Sequence, residues 1–191
     1  MEKHEAQIII LESSKILFNK ALVTNTGGNI SLKINEDYFA VTANGRNHET
    51  LSVNDIVIVN IHTLEYEGDL KPSIECKLHA ELYKLKPHIN AIIHSHSLYA
   101  SIVSAAHKEV PCMSDKMLSF IGSKIPITKY AVLNSKKLIH NTITAIGNKN
   151  AVILANHGAF CVGTDISRAI DTCYIMEQSC KDFINSYKEV K

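Results

Sequence analysis

Residues 90–97 read NAIIHSHS: a short apolar run, Ala91-Ile92-Ile93, leads directly into a histidine pair, His94 and His96. A run of this length, entered through polar residues, reads as a buried strand. Side chains alternate faces along a strand, so residues two apart project together. The apolar approach sets the two imidazoles at the edge of the core. There they can share a metal ion, and imidazole suits zinc and its neighbours. The chain has ten histidines, so the competing reading is two hydrogen-bonded histidines at a strand end.

Downstream, AVILAN (151–156) is a second short apolar strand, ending at His157-Gly158. A ligand from this strand end would complete a three-histidine set and leave an open coordination position, as in catalytic zinc sites. Upstream, Pro72 and Ser73 open a helix with Ser73 as its N-cap, running through Glu75, Leu78, His79, Leu82 and Leu85. Glu75 then falls in the first helical turn, where the helix dipole alone would also favour an acidic side chain.

The remaining segments alternate between the two periodicities. Residues from about Glu5 to Leu22 predict an amphipathic helix. TNTGGNIS (24–31) is a glycine turn feeding the strand ISLKI (30–34), and YFAVTA (38–43) and DIVIVN (55–60) are further strands. Ser97 caps a short helix, SKIPITKY (123–130) reads as a strand, and Asn134 caps a helix that stops at Gly147. Asp165 starts a long helix with Ile166, Ala169, Ile170, Cys173 and Met176 on one face. Strands interleaved with helices define an α/β protein. No linker or repeat divides the sequence, so residues 1–191 are expected to form one domain. TNTGGNIS and VTANGR (41–46) are ordinary tight turns or, through exposed backbone N–H groups, phosphate cradles.

Twenty basic residues against nineteen acidic ones give a net charge of +1, which removes the electrostatic case for nucleic acid and favours a small polar metabolite. Five cysteines without a C-x-x-C pair suggest free thiols in a reducing compartment. The charged start and the broken apolar run after it match neither a signal peptide nor a membrane span, so a cytoplasmic protein is expected.

Taken in order, TNTGGNIS, VTANG, KPSIE (71–75), H-S-H, ANHG (155–158) and G-T-D (163–165) make the chain resemble the class II aldolase/adducin family from about residue 5 to residue 186. The resemblance implies a three-layer α/β/α fold around a mostly antiparallel sheet, assembled as a homotetramer with sites near subunit interfaces. It implies zinc on His94, His96 and His157, with Glu75 as acid/base and additional contact to the metal. It places a sugar phosphate on Gly28, Asn29, Asn44, Gly45, Ser73 and Ile74. The implied reaction is retro-aldol cleavage of a ketose 1-phosphate to dihydroxyacetone phosphate and an aldehyde.

Three departures bear on the substrate. Asn44 and Ile74 stand where the family often has hydroxyl residues. Asp115, four residues after Pro111, stands where the aldolase has a proton-donating tyrosine. The sequence ends soon after its last expected helix, so the C-terminal tail that covers the site in some members is expected to be missing. The competing expectations are an epimerase, dehydratase or decarboxylase on the same scaffold, and a non-catalytic adducin-like module. Epimerases resembling this family carry aspartate where Glu75 stands. Retention of three histidines and the glutamate argues against the module, because buried ligands without a metal are costly.

Overall fold

A computed structural model describes residues 1–187 of the chain. Eight strands and six α-helices follow one another: α1 Lys3–Asn19, β1 Asn29–Lys33, β2 Tyr38–Thr42, β3 Ile56–Asn60, α2 Cys76–Leu85, β4 Ala91–Ser95, α3 Leu98–Ala106, β5 Val110–Pro111, α4 Asp115–Phe120, β6 Lys124–Ile125, α5 Lys136–Ile146, β7 Ala151–Leu154, β8 Gly158–Gly163 and α6 Ile166–Ser186. Six strands form one sheet in the order β3-β2-β1-β4-β8-β7, and every neighbouring pair in it is antiparallel.

Strand alternation separates two apolar layers. Ile30, Leu32, Ile93, Ile153 and Cys161 face a cluster that takes in Ile10 and Leu17 of α1, Val103 of α3 and Cys173 and Met176 of α6. Phe39, Val41, Ile92, Val152, Leu154 and Phe160 face the opposite cluster, with Leu78, Leu82 and Tyr83 of α2 and Leu138 and Ile146 of α5. The result is the three-layer α/β/α arrangement around an antiparallel sheet that the sequence led us to expect. Among the described residues, no helix is long and apolar enough to cross a membrane.

Several boundaries differ from the sequence reading, each for a local reason. Ser73 does not cap α2: its N–H donates to the Thr42 carbonyl, and Pro72 bridges Ala43. This segment is paired alongside the end of β2, and the helix begins only after Glu75. SKIPITKY forms a strand only over Lys124–Ile125, paired with β5; past Pro126, which has no N–H to donate, it makes a single parallel bridge from Ile127 to Ile153 of β7. Ser135, not Asn134, caps α5, its Oγ accepting from Leu138 N–H, while Asn134 sits at φ 61°. The strand β8 has no counterpart in the sequence reading. All six of its residues are buried, so it shows no polar alternation to mark it. Asp165 does cap α6, accepting from Arg168 N–H at 2.8 Å.

Candidate active site and metal centre

Sheet register brings the distant motifs together. Asn29 of β1 lies opposite His94 of β4, and His94 lies opposite Phe160 of β8. The β7–β8 hairpin turns through Ala155, Asn156 and His157, with Asn156 in the left-handed region at φ 59°, which aims His157 back at the end of β4. Close packing here leaves no room for larger residues. A Cβ on Gly158 would lie 2.5 Å from the Ser95 carbonyl oxygen and 2.9 Å from the His96 ring. At Gly28, φ is 98° and a Cβ would meet the His94 carbonyl oxygen at 2.7 Å.

Three imidazoles converge at this point. The Nε2 of His94 is 2.8 Å from that of His96 and 3.3 Å from that of His157. Two nitrogens in tetrahedral coordination at about 2.0–2.1 Å from zinc stand roughly 3.3–3.4 Å apart, so the His94–His157 pair is already at coordination spacing. His94 Nδ1 donates to the Ala159 carbonyl at 3.0 Å, and the ring stacks on Phe160 at 4.6 Å. This fixes the tautomer, leaving a lone pair on Nε2 aimed at the other ligands. Burial lowers the pKa of all three rings, strongly for His94 and to about 4 for His157, with the neighbouring His96 adding repulsion at both. All three are therefore neutral at physiological pH, the form that binds a metal.

Glu75 closes the set. Its Oε2 lies 3.2 Å from His94 Nε2 and accepts from the Asn29 side-chain amide at 2.8 Å, and its Oε1 lies 3.9 Å from His157 Nδ1. Burial raises its pKa to about 7, with the Asn29 hydrogen bond acting in the opposite direction. Oε1 is buried without a hydrogen-bond partner. A lone pair on His94 facing a carboxylate oxygen, beside an unpartnered second oxygen, is a cluster of acceptors that a cation would satisfy. The donor set of three imidazoles and one carboxylate fits a divalent transition metal, zinc included.

These groups form the floor of a cavity of about 170 Å³. All ten residues singled out in the sequence line it: Gly28, Asn29, Asn44, Gly45, Ser73 and Ile74 with Glu75, His94, His96 and His157. Asp115 does not; it is exposed at the start of α4. Sequence reading missed Arg46, His48 and Leu133, which also line the cavity. Arg46 directly follows the Asn44-Gly45 turn, and that position was the available signal. Its Nε is 3.1 Å from Asp55 Oδ1. His48 Nδ1 is 2.6 Å from Ser14 Oγ and its Nε2 is 3.2 Å from the Gly28 carbonyl oxygen, so it ties the glycine turn to α1.

A sheet that gathers three neutral imidazoles and a buried glutamate under glycine turns makes a site suited to a divalent metal. The profile of the class II aldolase and adducin N-terminal domain matches residues 9–184, and the chain belongs to that family. It is 29% identical to 5-deoxy-D-ribulose 1-phosphate aldolase of Bacillus thuringiensis serovar kurstaki, over 88% of this chain and 78% of that protein. It is 31% identical to L-fuculose phosphate aldolase of Methanococcus maripaludis (strain C5), over 85% of this chain and 87% of that one. A solved L-fuculose 1-phosphate aldolase superposes with a TM-score of 0.93 at 27% identity, covering 100% of this chain and 90% of that one.

Proposed function

We propose that this protein is a zinc-dependent aldolase that cleaves a ketose 1-phosphate of the L-fuculose phosphate type to dihydroxyacetone phosphate and an aldehyde. The observation that carries the reading is the buried, unpartnered Glu75 Oε1 beside three converging imidazoles, at the floor of a cavity rimmed by backbone donors. His94, His96 and His157 would hold the metal, with Glu75 against it. When bound, the ion supplies Lewis acidity to the carbonyl and hydroxyl oxygens of the sugar.

The chain's own residues do the rest. Glu75, with a pKa raised to about 7, is poised to take and return a proton near neutral pH. Gly28, Gly45 and Ile74 offer backbone N–H groups to the phosphate, Asn44 and Ser73 offer short polar side chains, and Asn29 lies beside Gly28 in the same lining. Arg46 is the one side chain of permanent positive charge among the lining residues, which favours an anionic substrate. Asp115 lies away from the cavity of its own chain, so the tyrosine's proton-donating role is not assigned to it.

Two further assignments go with this reading. Leu98, Tyr130 and Val132 are 63%, 57% and 67% exposed, apolar side chains that assembly as a homotetramer would cover. The cysteines of the described chain are free thiols, consistent with the cytoplasm. The test is a screen of ketose 1-phosphates with zinc-loaded protein, reading dihydroxyacetone phosphate release. L-Fuculose 1-phosphate and 5-deoxy-D-ribulose 1-phosphate are the expected substrates; a zinc-loaded protein that releases it from no sugar phosphate would sink the proposal.

A further inference from the structure

Behind the cavity, in the otherwise apolar layer between the sheet and α2, five polar side chains stand in a row. From Glu75 Oε2 the Asn29 amide nitrogen is 2.8 Å away; from Asn29 Oδ1 the His79 Nε2 is 2.6 Å away. His79 Nδ1 is 2.7 Å from Ser31 Oγ, which is 2.7 Å from the Tyr83 hydroxyl. Ser31, His79 and Tyr83 are 0%, 0% and 2% exposed, and none of the three lines the cavity. Phe160 separates His79 from the metal ligands: its ring stacks on His94 at 4.6 Å and meets His79 edge-on at 5.3 Å. His79 is thus not a ligand, and it touches no space that substrate can enter.

The donors and acceptors of this row can be ordered from its catalytic end. In its ionised form, the one able to take up a proton, Glu75 only accepts, so Asn29 turns its NH2 toward it and its carbonyl oxygen toward His79. That oxygen only accepts, so His79 carries its hydrogen on Nε2. Burial lowers the pKa of His79 to about 3, so the ring is neutral and Nδ1 is bare. Ser31 must then donate to Nδ1, and the Tyr83 hydroxyl donates to Ser31 at 2.7 Å in preference to the Asn90 carbonyl oxygen at 3.5 Å. The shorter contacts thus set the order of donors, and the row ends on a phenol whose own pKa burial raises. An apolar residue at position 79 would fill the layer equally well but would leave Asn29 free to rotate its amide and present its oxygen to Glu75.

We infer that His79 is a positioning residue: held in its Nε2–H tautomer by Ser31 and Tyr83, it locks the Asn29 amide with its NH2 on Glu75, keeping that carboxylate an oriented hydrogen-bond acceptor. The inference rests on the reading of Glu75 as the proton-carrying group, and it concerns a residue with no contact to metal or substrate. A fully satisfied buried network of this kind rigidifies the groups at its end.

Nitrogen-15 spectra of the full chain test it without recourse to activity. In the wild type, His79 should show a protonated Nε2 and a bare Nδ1, and the Asn29 side-chain amide should exchange slowly with solvent. Ser31→Ala should mix the His79 tautomers. His79→Leu should speed Asn29 amide exchange at least tenfold, and His79→Gln, whose amide can still donate to Asn29, should restore it. In the zinc-loaded enzyme, His79→Leu should lower kcat about tenfold or more with KM changed less than about twofold and zinc still near one per chain, with His79→Gln recovering most of the loss. An Nδ1–H tautomer in the wild type, or Asn29 exchange unchanged in His79→Leu, overturns the inference. So does an unchanged kcat per zinc-loaded site, the outcome of a role in stability alone. A wild type with the stated tautomer and slow amide, but no cleavage of any sugar phosphate, would instead sink the aldolase reading and leave the positioning of Asn29 standing.

Discussion

The floor of the cavity is built from side chains and its rim from backbone. On the floor, His94 and Glu75 are 1% and 5% exposed, and each is held by a partner on another element, His94 by the Ala159 carbonyl and Glu75 by the Asn29 amide. On the rim, Ile74 is 47% exposed and Gly45 would meet nothing within 4 Å if it gained a Cβ. The floor's chemistry depends on residue identity, because only imidazole nitrogens and a carboxylate can do what the positions ask. The rim's chemistry depends on where the chain turns, because N–H groups are common to almost all residues. Substitutions at the rim should therefore tune which anion binds, while substitutions on the floor decide whether anything happens.

The largest expected effect breaks the floor. His94→Ala, His96→Ala or His157→Ala each removes one of three imidazoles and should abolish the roughly one zinc per chain expected of the wild type. His94→Ala should also cost stability, on the order of 3 kcal/mol, because it empties a fully buried stacked position against Phe160. Elemental analysis together with urea unfolding reads both. Wild-type protein purified without chelator that holds no metal and takes up no added zinc would remove the floor's assigned function.

Next comes the carboxylate. Glu75→Gln keeps the shape of the side chain and leaves three imidazoles in place, so metal should be largely retained while turnover falls by on the order of 10²-fold or more. If Glu75 served only the dipole of α2, turnover would stay normal. The geometry already disfavours that role, since Glu75 precedes the helix and makes no capping hydrogen bond with its side chain. Rate and metal content must be measured on the same sample for the comparison to hold.

The same contrast explains what was legible in the sequence. His94, His96 and Glu75 could be read because their residue types are chemically unusual next to apolar strands, and the order of the motifs carried the fold. β8 could not be read, because a strand buried on both faces lacks the alternation that marks a half-buried one. The start of α2 was misplaced because Ser73 looks like a cap in one dimension; only the pairing of Pro72 with Ala43 shows that this segment belongs to the sheet. Arg46 went unnoticed because a lone arginine after a turn is an ordinary surface residue until the fold points it into a cavity. His79 was read as one position on a helix face, since its partners Asn29 and Ser31 are 50 and 48 residues away in the chain. Long-range hydrogen bonds of this sort leave no local periodicity to find.

The smallest expected effect sharpens the rim. Family members often place a hydroxyl where Ile74 stands, and in this chain the apolar side chain is 47% exposed at the cavity wall. Ile74→Ser therefore removes little buried surface and should leave stability near that of the wild type. The backbone N–H of residue 74 stays in place, and the new hydroxyl adds one donor toward an anion. One hydrogen bond to a charged group contributes about 1.5–3 kcal/mol in favourable geometry and less when solvent competes, so a tightening of roughly threefold to thirtyfold is expected. Inorganic phosphate and phosphoglycolohydroxamate, a mimic of the reacting end of dihydroxyacetone phosphate, are suitable probes for calorimetry, with metal content unchanged between the two proteins. Tightening of both ligands would assign the Ile74 side of the rim to the phosphate. If neither protein binds them at millimolar concentration, the substrate carries no phosphate, and the rim must be reassigned while the floor stays as it is.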